Sequence, residues 1–372
     1  MSPFPLDVVI VGAGAAGVGC GVVLRDLGVE RFTILERYTV GASFQRWPEE
    51  MRLLTPSFLG NAFGLLDLNA VALNTSPAYS LLCEHPSGSD YARYLQDVAT
   101  HHNLPVQTGV EVFQIVPQSP EGFTVHTSSG IIASRFVIWA GGEFQYPQLN
   151  PFPGAEYCLH TSRVASWRDL AGRERIIIGG YESGIDAAIH LSDLGKFTRV
   201  LDRQGIWDYH SSDPSRVLSP YTRQRLTAAL QQQRIDLIGG VNVDRVERHG
   251  RNFVVIGADG RYWESRHPPL LATGFRGSLT LIEHLFDWHP EEGYALLTED
   301  DESTRTPGLF LVGPQVRHPG IIFCFIYKFR QRFAIVARAI AARLGLSLDT
   351  LDSYRQAGMF LEDLACCNEC VC

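Results

Sequence analysis

Gly12, Gly14 and Gly17 stand in the spacing G-x-G-x-x-G, and a carboxylate, Glu36, follows 22 residues after Gly14. Residues of these types at this spacing can hold a dinucleotide. The first glycine permits a tight turn, the second lets backbone approach a pyrophosphate without a Cβ in the way, and the third allows close helix–strand packing. The diphosphate rests on amides at the positive end of a helix, those of Gly14, Ala15 and Ala16 among them. Glu36 is placed to accept bonds from ribose hydroxyls. A second set lies further on: Gly179, Gly180, Ser183 and Gly184, followed by Asp202 and Arg203. Ser183 can add a hydroxyl donor to that helix start. Asp202 suits a ribose diol and Arg203 suits a 2′-phosphate, so the two send opposite signals.

Eight cysteines are spread unevenly. Cys20, Cys83, Cys158 and Cys324 are scattered singly, whereas Cys366, Cys367, Cys370 and Cys372 crowd the last seven residues. Cys367 and Cys370 form a C-x-x-C, a spacing that lowers thiol pKa and speeds thiolate exchange, which suits a redox arm. Four thiolates also suit a soft metal, although adjacent cysteines converge poorly on one ion. An incidental solvated terminus is the third reading. Cys324 falls near the apolar start of a helical stretch, where a thiol becomes reactive. Its neighbours Phe323, Phe325 and Ile326 favour a buried core residue instead.

The elements that position these groups alternate as a doubly wound α/β sheet requires. Val8–Val11 reads as a strand, the stretch to Leu27 as a helix and Phe32–Glu36 as a second strand. A loop-rich region (41–86), a helix (89–102) and strands at 110–113, 123–127 and 136–140 follow. The pattern then restarts with strand 175–178, helix 185–194 and strand 198–202, an approximate internal repeat. Residues 270–274 and 309–314 read as further strands, and 322–344 as one long helix. The expected organisation is 1–150 and 276–345 as two parts of a first module, 151–275 as a second inserted into it, and 346–372 as a Cys-rich tail.

Composition fits a globular enzyme: 372 residues, 45% hydrophobic and 19% charged. That length exceeds what one core usually supports, so two domains are expected. The net charge of −8 argues against a nucleic-acid partner, and no apolar run reaches the ~20 residues of a membrane span. The amino end lacks the positive region of a signal peptide, which makes the cytoplasm the expected location.

Two nucleotide modules in this order resemble the two-dinucleotide-binding-domain flavoproteins, a pyridine nucleotide-disulfide oxidoreductase type. Within it, the chain is most similar to flavin-containing-monooxygenase-like and bacillithiol-disulfide-reductase-like proteins. The residues carrying the likeness are the first glycine turn with Glu36, Gly41–Trp47, the second glycine turn, Ala272-Thr273-Gly274 and Leu311-Val312-Gly313. The resemblance implies FAD on the first module, with Arg37, Arg46, Trp47 and Gly313 among its contacts, and NAD(P)H on the second. It implies an oxidoreductase passing electrons to a disulfide or small-molecule acceptor, with Cys324, Cys367 and Cys370 as catalytic candidates, and a homodimer is one assembly open to it. Three departures stand out. Tyr181 occupies the pyrophosphate-facing position of the second turn, which leaves open a displaced diphosphate or a module that has lost its nucleotide. Phe152-Pro153-Gly154 precedes His160 by two residues too many for the monooxygenase signature, which makes His160 a structural residue. No C-x-x-C lies in the second module, and the first turn has alanines where the bacillithiol reductase type has a cysteine. A flavin monooxygenase, a binding or sensor protein and a metal-handling protein are the alternatives.

Overall fold

The computed structural model describes residues 4–60, 64–211 and 213–364. Cys366, Cys367, Cys370 and Cys372 lie outside the described residues. The chain divides into two compact units. One is built from residues 1–45, 56–145 and 277–372, the other from 46–55 and 146–276.

The first unit opens with strand β1 (Leu6–Val11), helix α1 (Ala15–Asp26) and strand β2 (Phe32–Glu36). Val8, Val9 and Ile10 are fully buried, because a parallel central strand is covered on both faces. Short helices α2 (Ala42–Gln45) and α3 (Pro77–Leu81) precede α4 (Gly88–His101). A capping box between Ser87 and Asp90 starts α4. Strands β3 (Val106–Thr108), β4 (Val112–Pro117), β5 (Phe123–Thr127) and β6 (Gly130–Trp139) follow.

The second unit contributes β7 (Leu159–His160), β8 (Glu174–Ile178), α5 (Glu182–Asp193), β9 (Phe197–Leu201), α6 (Pro220–Leu230) and β10 (Ile235–Ile238). After these come β11 (Val243–His249), β12 (Asn252–Gly257), β13 (Tyr262–Ser265) and β14 (Leu270–Leu271). Its parallel sheet runs β10-β9-β8-β14-β7, and β11-β12-β13 form a separate antiparallel sheet. Ile177, Ile185, Leu191, Val200 and Trp167 make the core on one face of the parallel sheet.

The chain returns to the first unit with β15 (Leu309–Leu311), the hairpin β16 (Arg317–His318) and β17 (Ile321–Ile322), and helices α7 (Ile326–Phe329), α8 (Phe333–Leu344) and α9 (Leu351–Gln356). The sheet of this unit has the order β3-β2-β1-β6-β5-β4. The long strand β6 serves three partners, pairing β5 through residues 130–134, β1 through residues 134–139 and β15 through residues 137–139.

The expected single helix over 322–344 is in fact two. It starts at Ile326, and a 3-10 turn at Arg330–Arg332 separates α7 from α8. Both arginines of that turn are buried: Arg330 donates to the carbonyls of Asp67 and Ala70, and Arg332 to the carboxylate of Asp301. Backbone that must deliver two guanidinium groups to separate acceptors tightens there. With the helix starting at Ile326, Cys324 precedes it rather than lying in it. In this extended segment side chains alternate, Phe323 inward and Cys324 exposed, so the expected core position is corrected to a surface one.

Candidate cofactor sites

The two glycine turns share one geometry. Gly12 has φ +104° and Gly179 φ +103°, values in which only glycine is comfortable. A Cβ on Gly12 would strike the carbonyl of Ala140, and one on Gly179 that of Ala272. The third glycines, Gly17 and Gly184, each lie against the carbonyl oxygen of the first glycine of their own turn, so neither tolerates a side chain. The acid at the end of each second strand locks the turn. Glu36 accepts from the amides of Ala13 and Tyr38, both at 2.8 Å. Asp202 accepts from Gly180 at 2.8 Å, Gln204 at 2.8 Å and Gly205 at 2.7 Å.

The middle position separates the modules. Around Gly14 there is open space: a Cβ built there meets nothing within 4 Å. Its torsions, φ −79° and ψ −168°, are ordinary extended ones, so this glycine is required for room rather than for conformation. With α1's first amides lacking intrahelical acceptors, this is a cradle that fits a diphosphate. Gly313 (φ +99°) closes against it, its Cβ position 3.1 Å from Ala16 Cβ. Arg37, next to Glu36 in sequence, is held by Glu111 at 3.2 Å and Gln145 at 3.0 Å.

In the second module Tyr181 keeps nearly the same backbone, φ −94° and ψ −162°. Its side chain is carried aside, the hydroxyl donating to the carbonyl of Val217 at 2.8 Å. Trp207 Nε1 donates to Gly180 O at 2.8 Å, pinning the same turn from the loop after β9. Glu182 opens α5, whereas the first turn of α1 has no acid. Its carboxylate is turned into the start of α6, accepting from the Ser219 amide and, at 2.6 Å, from the Thr222 hydroxyl. Burial pushes this carboxyl up from its ordinary value, against the lowering effect of those bonds. Ser183 and Gly184 complete the turn in the expected places. Arg203 is exposed and makes no hydrogen bond or ion pair among the described residues.

Arg46 and Trp47 fall in the second unit, in the segment 46–55, rather than in the unit that carries the first turn. His160 is buried, with Nδ1 2.8 Å from Ser162 Oγ and Nε2 3.1 Å from Gly274 O, and burial lowers its pKa. Both ring nitrogens have partners within the fold. Burial pushes the Cys20 thiol up and that of Cys158 to about 12, so neither is a ready nucleophile. Among the described residues no group of three or more His, Cys, Asp or Glu could hold a metal ion. No described helix is long and apolar enough to cross a membrane.

Two dinucleotide folds, each with an acid-locked glycine turn, define a protein of the two-nucleotide α/β class. The chain belongs to the pyridine nucleotide-disulphide oxidoreductase family, whose model matches residues 9–313. The matched region covers about half the length of the first curated relatives: an uncharacterized CzcO-like oxidoreductase of Geobacillus kaustophilus is 27% identical over 50% of this chain and 52% of its own. Bacilliredoxin reductase Bdr of Bacillus subtilis is 20% identical over 90% of this chain and 97% of its own. Among solved structures, bacillithiol disulfide reductase Bdr (YpdA) from Staphylococcus aureus has a TM-score of 0.73 at 19% identity, covering 91% of this chain and 98% of its own. A flavin-containing monooxygenase from Stenotrophomonas maltophilia has a TM-score of 0.69 at 18% identity, covering 91% and 99%. At these identities the structural likeness shows the fold.

Proposed function

We propose that the chain is an NAD(P)H-dependent flavin reductase that hands electrons to a disulfide or another small-molecule acceptor, with FAD on the Gly12–Gly17 turn and the nicotinamide nucleotide on the Gly179–Gly184 turn. The observation that carries this reading is the repeated turn: the same torsions, the same carbonyl contact and the same acid-to-amide lock occur twice, with open space at Gly14. When bound, FAD supplies the hydride-accepting and electron-delivering chemistry. The protein's own residues bind and orient. Amides of Gly14, Ala15 and Ala16 take the diphosphate, and Glu36, with a lone pair left on each oxygen, takes the ribose. In the second module Ser183 adds a hydroxyl donor, and Arg203 faces the 2′ position beside Asp202. The relatives named for bacillithiol disulfide and bacilliredoxin reduction support a disulfide acceptor. The exposed Cys324 is the described thiol best placed to meet one.

The test is the visible spectrum of the purified protein, followed by anaerobic addition of NADH and of NADPH. Yellow protein that bleaches is expected. Colourless protein that takes up no FAD overturns the first assignment, and bleaching by neither nucleotide overturns the second.

A further inference from the structure

Glu182 presents a problem that the first module does not have. A carboxylate in the opening turn of α5 brings negative charge to the helix end where a nucleotide's diphosphate would sit. Two like charges about 4 Å apart repel by about 1 kcal/mol even in water. The carboxylate, however, is held by the amino end of the following helix. The Ser219 amide and the Thr222 hydroxyl both donate to it. The Ser219 hydroxyl donates to Thr222 Oγ1 at 3.0 Å and also caps α6 by accepting from the Thr222 amide at 3.1 Å. Tyr181 O–H to Val217 O fastens the adjacent residue to the same stretch.

We infer that Ser219 and Thr222 are positioning residues for the second nucleotide site: by anchoring Glu182 on α6 they keep its charge away from the diphosphate. Thr222 is the critical member, because its hydroxyl donates to the carboxylate while its own oxygen accepts from Ser219. The inference rests on the second turn being a nicotinamide-nucleotide site. It concerns no group that touches the nucleotide, and it assigns the cost of a broken anchor to Glu182 itself.

A double-variant cycle tests this in the full-length, FAD-loaded protein, with calorimetric binding of NAD+ and NADP+ as the readout so that turnover is not needed. Thr222→Val is expected to weaken binding about five- to tenfold, the scale of one solvent-screened like-charge contact. Glu182→Gln is expected to bind as tightly as the unsubstituted chain or tighter. The double variant is expected to bind like Glu182→Gln, since without the charge the anchor has nothing to restrain. A Thr222→Val loss of equal size in both backgrounds makes Thr222 merely structural and overturns the inference. So does weaker binding by Glu182→Gln, which would make the carboxylate a ligand contact. Absence of binding by the unsubstituted protein overturns the nicotinamide site itself, a separate failure.

Discussion

Gly14 and Tyr181 hold equivalent positions with nearly equal torsions, and what differs is the space each leaves. Gly14→Val adds bulk to a place that the fold leaves open, so the protein should fold and yet purify colourless. Flavin content equal to that of the unsubstituted chain would remove the diphosphate from this turn. At the other module, Asp202 Oδ1 already accepts two amides and Oδ2 one, whereas each oxygen of Glu36 accepts only one. A carboxylate has about four acceptor sites, so Asp202 has little left with which to grip a ribose diol. Arg203, exposed beside it, offers an unspent cation. NADPH should therefore be the better reductant, and Arg203→Ser should erase about a tenfold or greater preference, the scale of a charge-assisted hydrogen bond. Anaerobic flavin-reduction rates at varied NADH and NADPH measure this. An unchanged ratio would exclude Arg203 as the discriminator.

At the scale of elements, both glycine turns were legible because each needs a residue type that nothing else can supply. Helix α1 shows how much a single element carries: Gly17 lies on the Gly12 carbonyl, Gly19 under the Phe333 ring and Gly21 against Ile34. Gly184→Ala forces a methyl onto the Gly179 carbonyl, which should destabilise the second unit by at least the ~1–3 kcal/mol of ordinary overpacking. Flavin content should persist, whereas Gly17→Ala should lose both flavin and stability. Chemical denaturation followed by flavin and tryptophan signals separates the two, and equal flavin loss in both would contradict the assignment. Other elements were missed. Ser219-Pro220 is a strong helix start, an N-cap followed by proline at N1, and would have revealed α6. The alternation in Val243–His249, Asn252–Gly257 and Tyr262–Ser265 would have revealed the antiparallel sheet. Cys324 was misplaced for a different reason. An apolar run does not say where a helix begins, and here the helix starts only at Ile326 and is broken at the buried Arg330 and Arg332 by contacts distant in sequence.

At the scale of the whole molecule, the segment 46–55 leaves the first unit to pack within the second. No local pattern announces this excursion, since its partners lie more than a hundred residues away. Glu50 accepts from the Ser166 hydroxyl at 2.6 Å and the Trp167 amide at 3.1 Å, and Glu49 donates its amide to Ala165 at 2.8 Å. Burial alone would raise the Glu50 carboxyl, but the bonds from Ser166 and Trp167 outweigh it and hold the group below the ordinary value. A depressed folded-state pKa stabilises above the unfolded value, near ~4.3 for glutamate, and the contribution fades as pH falls through the folded value. Glu50→Ala should therefore destabilise the second unit by about 1–2 kcal/mol at neutral pH, the net worth of hydrogen bonds to a charged group. The gap from the unsubstituted chain should narrow below ~4.3. With FAD on the first unit, as proposed, flavin should be released at the same temperature in both proteins. Calorimetry with flavin fluorescence, run across pH, reads both transitions. A Glu50→Ala variant that loses flavin earlier, or whose deficit grows in acid, would show that this segment does not act through the second unit.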